Sequence, residues 1–317
     1  MEGKILVADD DKAMQEVVCR LLNGRGWRVR TADDGLSALE RIAAELPDVI
    51  LLDLNMPGLG GRELLASLRR NPRTAVVPVI VISGENSPGE KAAEFGIGAD
   101  DFVSKPFDSV ELVARVEAAA RRARRLLAAN PLTLLPGGPA IEEEAGARIA
   151  SGAPLAFFYI DIDNFKAYND NYGYLKGDEA IRAVARLLTE VQNEFSLDDL
   201  FVGHIGGDDF VLMCPPDKAE AVAGRVASRF DSRAPGLYRA GDAESGYITS
   251  ADRSGIERRF PLMSLSIAIV TNERRRLGHY AKIVDIAAEI KKFLKGRRTT
   301  GGSVFLKDRR RDGLREV

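Results

Sequence analysis

Five polar side chains each follow a short apolar run in the first third of the chain. They are Asp9, Asp10, Asp53, Ser83 and Lys105. Carboxylates are hard oxygen ligands that suit a divalent cation such as Mg²⁺, and an ammonium group stabilises anionic oxygens. If the fold brings these side chains together, the sequence predicts a site that binds a metal ion and a negatively charged group.

The apolar runs before these side chains have the pattern of strands in a parallel sheet. Runs at 4–7, 27–30, 49–52, 77–82 and 101–103 alternate with amphipathic helical stretches. The third and fourth runs are apolar throughout, as expected for strands covered on both faces. We therefore predict an α/β domain with a doubly wound, five-stranded parallel sheet, in which the carboxyl ends of the strands meet in one crevice.

Four segments of this region resemble the receiver domain of two-component response regulators, a flavodoxin-like fold. They occur in family order within residues 1–120, as ILVADDD (5–11), LLDLNMPGLGG (51–61), VISG (81–84) and GADDFVSKPF (98–107). Phe102, in the last segment, stands at the switch-aromatic position of the family. The resemblance implies control by a histidine kinase or a phosphotransfer protein.

The same resemblance implies a role for each of the five polar side chains. Asp53 is implied as the phosphoacceptor, and Asp9 and Asp10 are implied to hold Mg²⁺ with it. Ser83 and Lys105 are implied to contact the phosphoryl oxygens. These roles agree with the chemistry, because a carboxylate that attacks a phosphoryl group needs a cation to neutralise charge.

A helical pattern at residues 111–130 joins this region to the rest of the chain. Its apolar residues have the 4-3-4-3 spacing of a coiled-coil seam and are Leu112, Val116, Ala119, Ala123 and Leu126. Two interpretations stay open: a last receiver helix with a solvated arginine face, or a dimer stalk. We expect a receiver domain at 1–120, a connecting helix at 111–130 and a second domain at 131–317.

The second domain has the pattern of an α+β fold with a central antiparallel sheet. A helix at 140–150 precedes a strand at 155–162, which ends in Asp161 and Asp163 on one face. Two apolar runs flank the sequence Gly-Gly-Asp-Asp and predict a β-hairpin. Further helices are predicted at 217–230 and 281–294, with a strand between them at 262–270.

Carboxylates at the strand end and in the hairpin turn could meet across adjacent strands. Asp161 would then lie near Asp208 and Asp209, and such a group could hold metal ions for phosphoryl transfer. Taken alone, the Gly-Gly-Asp-Asp sequence is also explained as an ordinary turn. The residues around it decide between the two interpretations.

The segments DIDNFKAYNDNYGYLKGDEAIRAVA (161–185) and HIGGDDF (204–210) resemble the GGDEF family. This family contains the diguanylate cyclases, which join two GTP into cyclic di-GMP in a nucleotide-cyclase-like fold. The resemblance implies that Asp161 and Asp208 bind Mg²⁺ and that Asp209 occupies a catalytic position. The residues implied to bind GTP are Phe165 (through its backbone) and Lys166 for phosphate, Asn169 and Asp178 for guanine, and Gly206 and Gly207 in the turn.

The sequence also departs from the family pattern at several positions. Asp209 replaces a glutamate, which retracts the carboxylate by roughly 1.5 Å. His204 stands where arginine is usual, and residues 197–200 replace the Arg-x-x-Asp motif of product inhibition. The C-terminal signature of the family is matched only in part. Lys295 is the candidate for its lysine, and Arg298 stands one residue away from the position of its arginine. Residues 236–260 form an insertion, predicted as a hairpin that turns at 252–255.

Composition limits the remaining classes of function. The 317 residues include 45 basic and 47 acidic side chains, and this near-neutral balance disfavours a nucleic-acid binder. Two cysteines and two histidines exclude a disulfide framework, a cysteine-based zinc site and HExxH metal sites. Without an apolar run of ~20 residues or a signal-peptide core, we expect a cytoplasmic protein that does not contact a membrane.

Three hypotheses of function follow from these patterns. The first is a phosphorylation-controlled diguanylate cyclase that acts as a homodimer, because two GTP molecules must meet. The second is a GGDEF-like module that binds a guanine nucleotide without turnover, as the shorter Asp209 suggests. The third is a phospho-switched protein-interaction module, as the insertion at 236–260 suggests.

Overall fold

The computed structural model describes residues 3–84, 95–195, 200–251, 257–296 and 302–311. The chain divides into two compact units, Met1–Leu127 and Ala128–Val317. Three features predicted from the sequence lie outside the described residues: most of the 197–200 segment, the turn at 252–255, and Arg298. In the part of the chain that is described, no helix is both long and apolar enough to cross a membrane.

The first unit is built around a sheet of five parallel strands. These are β1 (Gly3–Ala8), β2 (Trp27–Ala32), β3 (Val49–Leu52), β4 (Val79–Ser83) and β5 (Asp101–Ser104). The strand order is β2-β1-β3-β4-β5, so the predicted doubly wound parallel sheet is confirmed. Among the described residues of this unit, four helices are bounded at both ends: α1 (Lys12–Asn23), α2 (Gly35–Ala44), α3 (Gly61–Arg70) and α4 (Ser109–Ala128).

Two hydrophobic clusters, one on each face, hold the helices against this sheet. Alternate residues of a strand enter different clusters, so Ile50 packs in one and Leu51 in the other. Side-chain caps fix where helices begin: Asp11 accepts hydrogen bonds from the first N–H groups of α1, and Asp34 forms a capping box at α2. Because the helices cover the two faces of the sheet, the carboxyl ends of the strands remain free for polar residues.

The coiled-coil interpretation of α4 is wrong for most of its seam. Leu112, Val116 and Ala119 pack in the same cluster as Trp27, and Ala123 is also buried. Leu126 alone of the five seam residues is exposed, at 75% of its surface. The spacing arose because one face of the last helix covers the sheet, and a helix against a sheet needs the same apolar stripe as a coiled coil.

The second unit contains a central antiparallel sheet, as predicted, with one additional strand. Its strands are β6 (Ala156–Asp163), β7 (Phe201–Gly206), β8 (Asp209–Cys214), β11 (Ser264–Thr271) and β12 (Val304–Lys307). Their order is β12-β11-β6-β8-β7, and only the pairing of β11 with β12 is parallel. The edge strand β12 was missed because its four residues follow a helix without a periodic pattern of their own.

Helices cover this sheet and position its polar end. They are α5 (Gly138–Ser151), α6 (Phe165–Tyr172), α7 (Tyr174–Phe195), α8 (Ala219–Arg233) and α10 (Tyr280–Gly296). The insertion predicted at 236–260 contains a short helix, α9 (Ala240–Ser245), and an antiparallel pair, β9 (Tyr247–Ala251) and β10 (Glu257–Pro261). It contacts α6 through the Tyr172 hydroxyl, which donates to Asp242, and through the Asn171 amide, which donates to Thr249 O.

The two ends of the α4 seam predict different costs for the same substitution. Leu112→Ala should lower the free energy of unfolding by about 2–5 kcal/mol, because it leaves a cavity in a fully buried cluster. Leu126→Ala should change it by less than about 0.5 kcal/mol. Urea unfolding followed by the fluorescence of Trp27, the single tryptophan, reports on this unit. Equal losses at both positions would contradict the assignment, because they would mean that Leu126 is covered in solution.

Candidate functional site

In the first unit, the carboxyl ends of four strands bring the predicted polar side chains together. Asp9 directly follows β1, Asp53 follows β3, Ser83 ends β4, and Lys105 follows β5. Gly61 permits the loop after β3 to close tightly, since a Cβ at this position would lie 2.2 Å from the Asp53 carbonyl oxygen. The crevice is thus a consequence of parallel strand order.

Three carboxylates of this crevice form a group that suits a divalent cation. Asp9, Asp10 and Asp53 each offer one oxygen, and these oxygens lie within 4.8 Å of one another. Asp9 and Asp53 are buried, and Asp10 is exposed. Hard oxygen donors at this spacing, open to solvent on one side, are suited to Mg²⁺ with part of its water shell.

Lys105 bridges the two buried carboxylates of the group. Its Nζ lies 2.8 Å from Asp9 Oδ2 and 2.5 Å from Asp53 Oδ2. Burial acts to lower the pKa of Lys105, but its hydrogen bonds to the two carboxylates outweigh burial and raise the pKa. Burial raises the pKa of Asp9, although hydrogen bonds from Lys105 and from the Asp11 N–H act against this.

Ser83 and Phe102 lie on the neighbouring strands β4 and β5, in different settings. Ser83 is buried at the end of β4, and its register partner across the strands is Ser104, next to Lys105. Phe102 is only 9% exposed and belongs to a core cluster of the first unit. The side chain of Phe102, at the switch-aromatic position, is therefore turned into the core in this structure.

In the second unit, acids of two adjacent strands lie side by side, as the sequence predicts. Asp161 near the end of β6 pairs in register with Asp209 at the start of β8. Asp208 precedes Asp209 in the turn, which Gly206 and Gly207 form with φ of 152° and 59°. Because left-handed backbone is costly for other residues, these glycines let the turn present its acids beside β6.

Two lysines of α10 neutralise these acids. Lys291 Nζ lies 2.5 Å from Asp161 Oδ1 and 2.9 Å from Asp209 Oδ1. Lys295 Nζ lies 2.6 Å from Asp161 Oδ2, an atom that is fully buried and has no well-oriented hydrogen bond from the described residues. The ammonium group of Lys291 also lies 4.8 Å from the centre of the Tyr159 ring.

These ion pairs determine how the buried acids titrate. Burial opposes ionisation of Asp161, but Lys291 and Lys295 outweigh it, so that the pKa of Asp161 is lowered. The same contacts raise the pKa of Lys291 despite its burial. The pKa of Asp208 is raised, first by burial and then by the negative charge of Asp161. Asp208 is therefore the acid of this group that most lacks a compensating cation.

His204 links the turn to the segment that precedes α5. Its Nδ1 lies 3.0 Å from Thr133 Oγ1, and its Nε2 lies 3.0 Å from the Gly207 carbonyl oxygen. A carbonyl only accepts, so Nε2 carries the hydrogen and donates. Burial lowers the pKa of His204, and its ring stacks on Phe210. A neutral histidine thus supports the turn at the position where the family has arginine.

Apart from Gly206 and Gly207 in the turn, the residues predicted to bind nucleotide lie on α6 and at the start of α7. Lys166 is exposed, Phe165 is buried, and Asp178 is half-buried. Asn169 packs against Gly177, where a Cβ would lie 1.9 Å from Asn169 Oδ1. That oxygen is buried and accepts no hydrogen bond from the described part of the chain, so an unused acceptor lies beside Gly177, the residue before Asp178.

Lys291 was not predicted from the sequence. Lys295 was predicted only as the candidate for a family lysine, and the structure brings both lysines to Asp161. The available signal was their i,i+4 spacing, which places two side chains on one face of a helix. Asp163, predicted on the same face as Asp161, accepts hydrogen bonds from Ser266 Oγ and is buried.

Comparisons with known proteins agree with this two-part arrangement. A family model described as response regulator receiver domain matches residues 5–117, and one described as diguanylate cyclase, GGDEF domain, matches residues 130–244. Response regulator MprA of Mycobacterium ulcerans is 41% identical over 124 residues, which cover 39% of this chain and 53% of that protein. MprA of Mycobacterium bovis (strain BCG / Pasteur 1173P2) is 39% identical over 134 residues, covering 42% and 57%.

The chain thus aligns with only about half the length of these curated relatives. Among solved structures, the receiver domain of the Francisella response regulator 1452 is 37% identical with a TM-score of 0.36, covering 38% of this chain and 98% of that one. The order of the two family matches is the order of the two compact units. The chain therefore contains a response regulator receiver domain followed by a GGDEF domain.

Proposed function

We propose that this chain is a cytoplasmic two-component response regulator in which phosphorylation of Asp53 controls the synthesis of cyclic di-GMP from two GTP. A histidine kinase or a phosphotransfer protein donates the phosphoryl group, and the GGDEF domains of a homodimer carry out the condensation. The observation that carries the proposal is the convergence of Asp161, Asp208 and Asp209 with the lysines of α10. Acids and ammonium groups in one place are what phosphoryl transfer requires.

At the receiver site, the side chains support phosphorylation of Asp53. An Asp53 oxygen attacks the phosphorus of the donor, and the bond from phosphorus to the donor breaks. Mg²⁺ held by Asp9, Asp10 and Asp53 supplies charge neutralisation when it is bound. Lys105, already 2.5 Å from Asp53, is within reach of the new phosphoryl oxygens.

At the GGDEF site, the donor set fits a metal ion accompanied by nucleotide phosphates. Asp161 and Asp208 would hold Mg²⁺, and Asp161 Oδ2, which is buried beside Lys295, is an oxygen that already has a cation as its partner. Phosphate would meet Lys166 and the first N–H groups of α6. The Asn164 side chain does not cap these groups and donates to Pro261 O instead.

Guanine recognition in the proposal uses the acceptors on α6 and α7. Asp178 can accept from N1–H and from the 2-amino group of guanine, and Asn169 Oδ1 is an acceptor without a partner among the described residues. Each GGDEF domain offers one such set of residues. Joining two GTP therefore needs two chains, and this is the reason for proposing a homodimer.

A second candidate function is favoured by the geometry of Asp209. Its side chain is one methylene shorter than the family glutamate, and its Oδ1 already pairs with Lys291 at 2.9 Å. A misplaced group can cost ~10²-fold in rate. The alternative is a degenerate GGDEF module that binds a guanine nucleotide, or a protein partner, as a phospho-controlled output.

Replacing the phosphoacceptor should remove phosphorylation. Asp53→Asn should abolish acid-labile labelling by acetyl phosphate with Mg²⁺, measured by intact-protein mass spectrometry. Asp11→Asn is the matched control, since Asp11 caps α1 and asparagine can make the same cap. Label that persists on Asp53→Asn, or that disappears from Asp11→Asn, would count against the assignment.

Nucleotide preference should depend on Asp178. We expect GTP to bind ten- to a hundredfold more tightly than ATP with Mg²⁺, because an unpaired buried acceptor costs ~1–3 kcal/mol. Asp178→Ala should bring the two affinities together in calorimetric titrations. Asp170→Ala removes an exposed acid of α6 and should leave the preference intact. Equal affinities of the wild type for ATP and GTP would rule out guanine recognition here.

Turnover should rise more than linearly with protein concentration and should increase with phosphorylation of Asp53. Asp209→Glu should raise it further, by roughly ten- to a hundredfold, because the longer side chain restores the reach of the carboxylate. Asp217→Glu, at an exposed position, should have no effect. In each case the rate of cyclic di-GMP formation is measured by mass spectrometry. If the wild type and Asp209→Glu are both inert while GTP still binds, the binding-module alternative replaces the cyclase.

A further inference from the structure

Lys291 and Lys295 occupy both oxygens of the carboxylate that is expected to hold metal in the GGDEF domain. Lys291 approaches Asp161 Oδ1 at 2.5 Å, and Lys295 approaches Asp161 Oδ2 at 2.6 Å. Lys291 also binds Asp209, so a single ammonium group joins the acids of two strands. A divalent cation that enters this group would meet two positive charges at the positions of its ligands.

The receiver site provides an internal comparison. There, Lys105 contacts one oxygen each of Asp9 and Asp53, and Asp10 adds an exposed carboxylate. Three acids remain close enough for a cation. Within the described residues, no such group of three is found around Asp161. One lysine contacts two of the three acids of the receiver site, whereas two lysines contact Asp161 and Asp209, so more of the negative charge is neutralised in the GGDEF domain.

The two lysines are able to exchange partners. The side chain of Lys295 is 45% exposed and that of Lys291 is 22% exposed, and each has a flexible four-carbon stem. A triphosphate offers ammonium groups several charged acceptors, with which they form strong, charge-assisted hydrogen bonds. Once the lysines turn to phosphate, Asp161 is released to a metal ion.

We propose that Lys291 and Lys295 act as internal cations that exclude divalent metal from the GGDEF domain until a nucleoside triphosphate arrives. This inference rests on the proposed nucleotide site. Metal and nucleotide then enter together, because each depends on the same change of lysine partners. Lys291 and Lys295 are positioning residues in this scheme, since they act through Asp161 and Asp209.

Counting bound Mn²⁺ on the nucleotide-free full chain tests the inference without any measurement of activity. Lys291→Met should bind one more Mn²⁺ per chain than the wild type, as measured by electron paramagnetic resonance of the free ion. Lys291→Arg keeps the charge and should match the wild type. Lys292→Met, which removes an exposed lysine of the same helix, should also match it.

Three results would overturn the inference. One is the same Mn²⁺ count for Lys291→Met and the wild type, with both folded by circular dichroism. Another is a gain of Mn²⁺ by Lys292→Met as well, which would show that general surface charge decides the count. The third is a wild-type count that falls on Asp161→Asn, which would mean that the GGDEF domain holds metal without nucleotide.

Two additional measurements keep the test decisive. Where Lys291→Met reduces the folded fraction, Lys295→Met replaces a more exposed side chain and should also gain one Mn²⁺; a folded Lys295→Met without the gain counts against the inference. Titration of GTP with Mg²⁺ present tests the proposed function separately. Absence of GTP binding would overturn that function, whereas the Mn²⁺ counts without nucleotide would still decide the role of the lysines.

Discussion

The polar site of each unit depends on one interaction, an ammonium group held between two carboxylates of which at least one is buried. Lys105 bridges Asp9 and Asp53 in the receiver domain, and Lys291 bridges Asp161 and Asp209 in the GGDEF domain. Like charges that converge away from water raise the free energy of the fold unless a cation lies between them. The lysine allows the acids to stay ionised and close together, which is the state that binding of a metal ion requires.

The two domains reach this arrangement through opposite strand topologies. In the receiver domain, parallel strands end at the same edge, and crossover helices separate the acids widely in sequence. In the GGDEF domain, antiparallel pairing places Asp161 opposite Asp209, next to a tight turn. In both cases the ionised form of one acid is destabilised: the pKa of Asp9 and that of Asp208 are raised, chiefly by burial. Acids with a perturbed pKa are concentrated at functional sites, which agrees with the roles proposed for Asp9 and Asp208.

Most of the architecture could be predicted from the sequence, and the exceptions have physical causes. Strand ends and the Gly-Gly-Asp-Asp turn are local patterns, and they correctly indicated both sheets and the acids that follow them. Lys291 was not found, because its role depends on how α10 packs against β6 and not on its neighbours in sequence. The apolar spacing of α4 wrongly suggested a coiled coil. Val116 packs against a sheet, and a sheet selects the same apolar spacing in a helix as a partner helix does. Leu126 shows the difference only through its exposure.

The departure at Asp209 and the presence of Lys291 are connected. A lysine that reaches both Asp161 and Asp209 needs the second carboxylate to stay near the start of β8, and aspartate keeps it there at 2.9 Å. A longer glutamate would carry the charge past this position, so the shorter residue favours the lysine-bridged state. On the proposals above, phosphate offers Lys105 or Lys291 a new partner in each domain. Only in the GGDEF domain does that exchange release carboxylates that then become ligands for a cation.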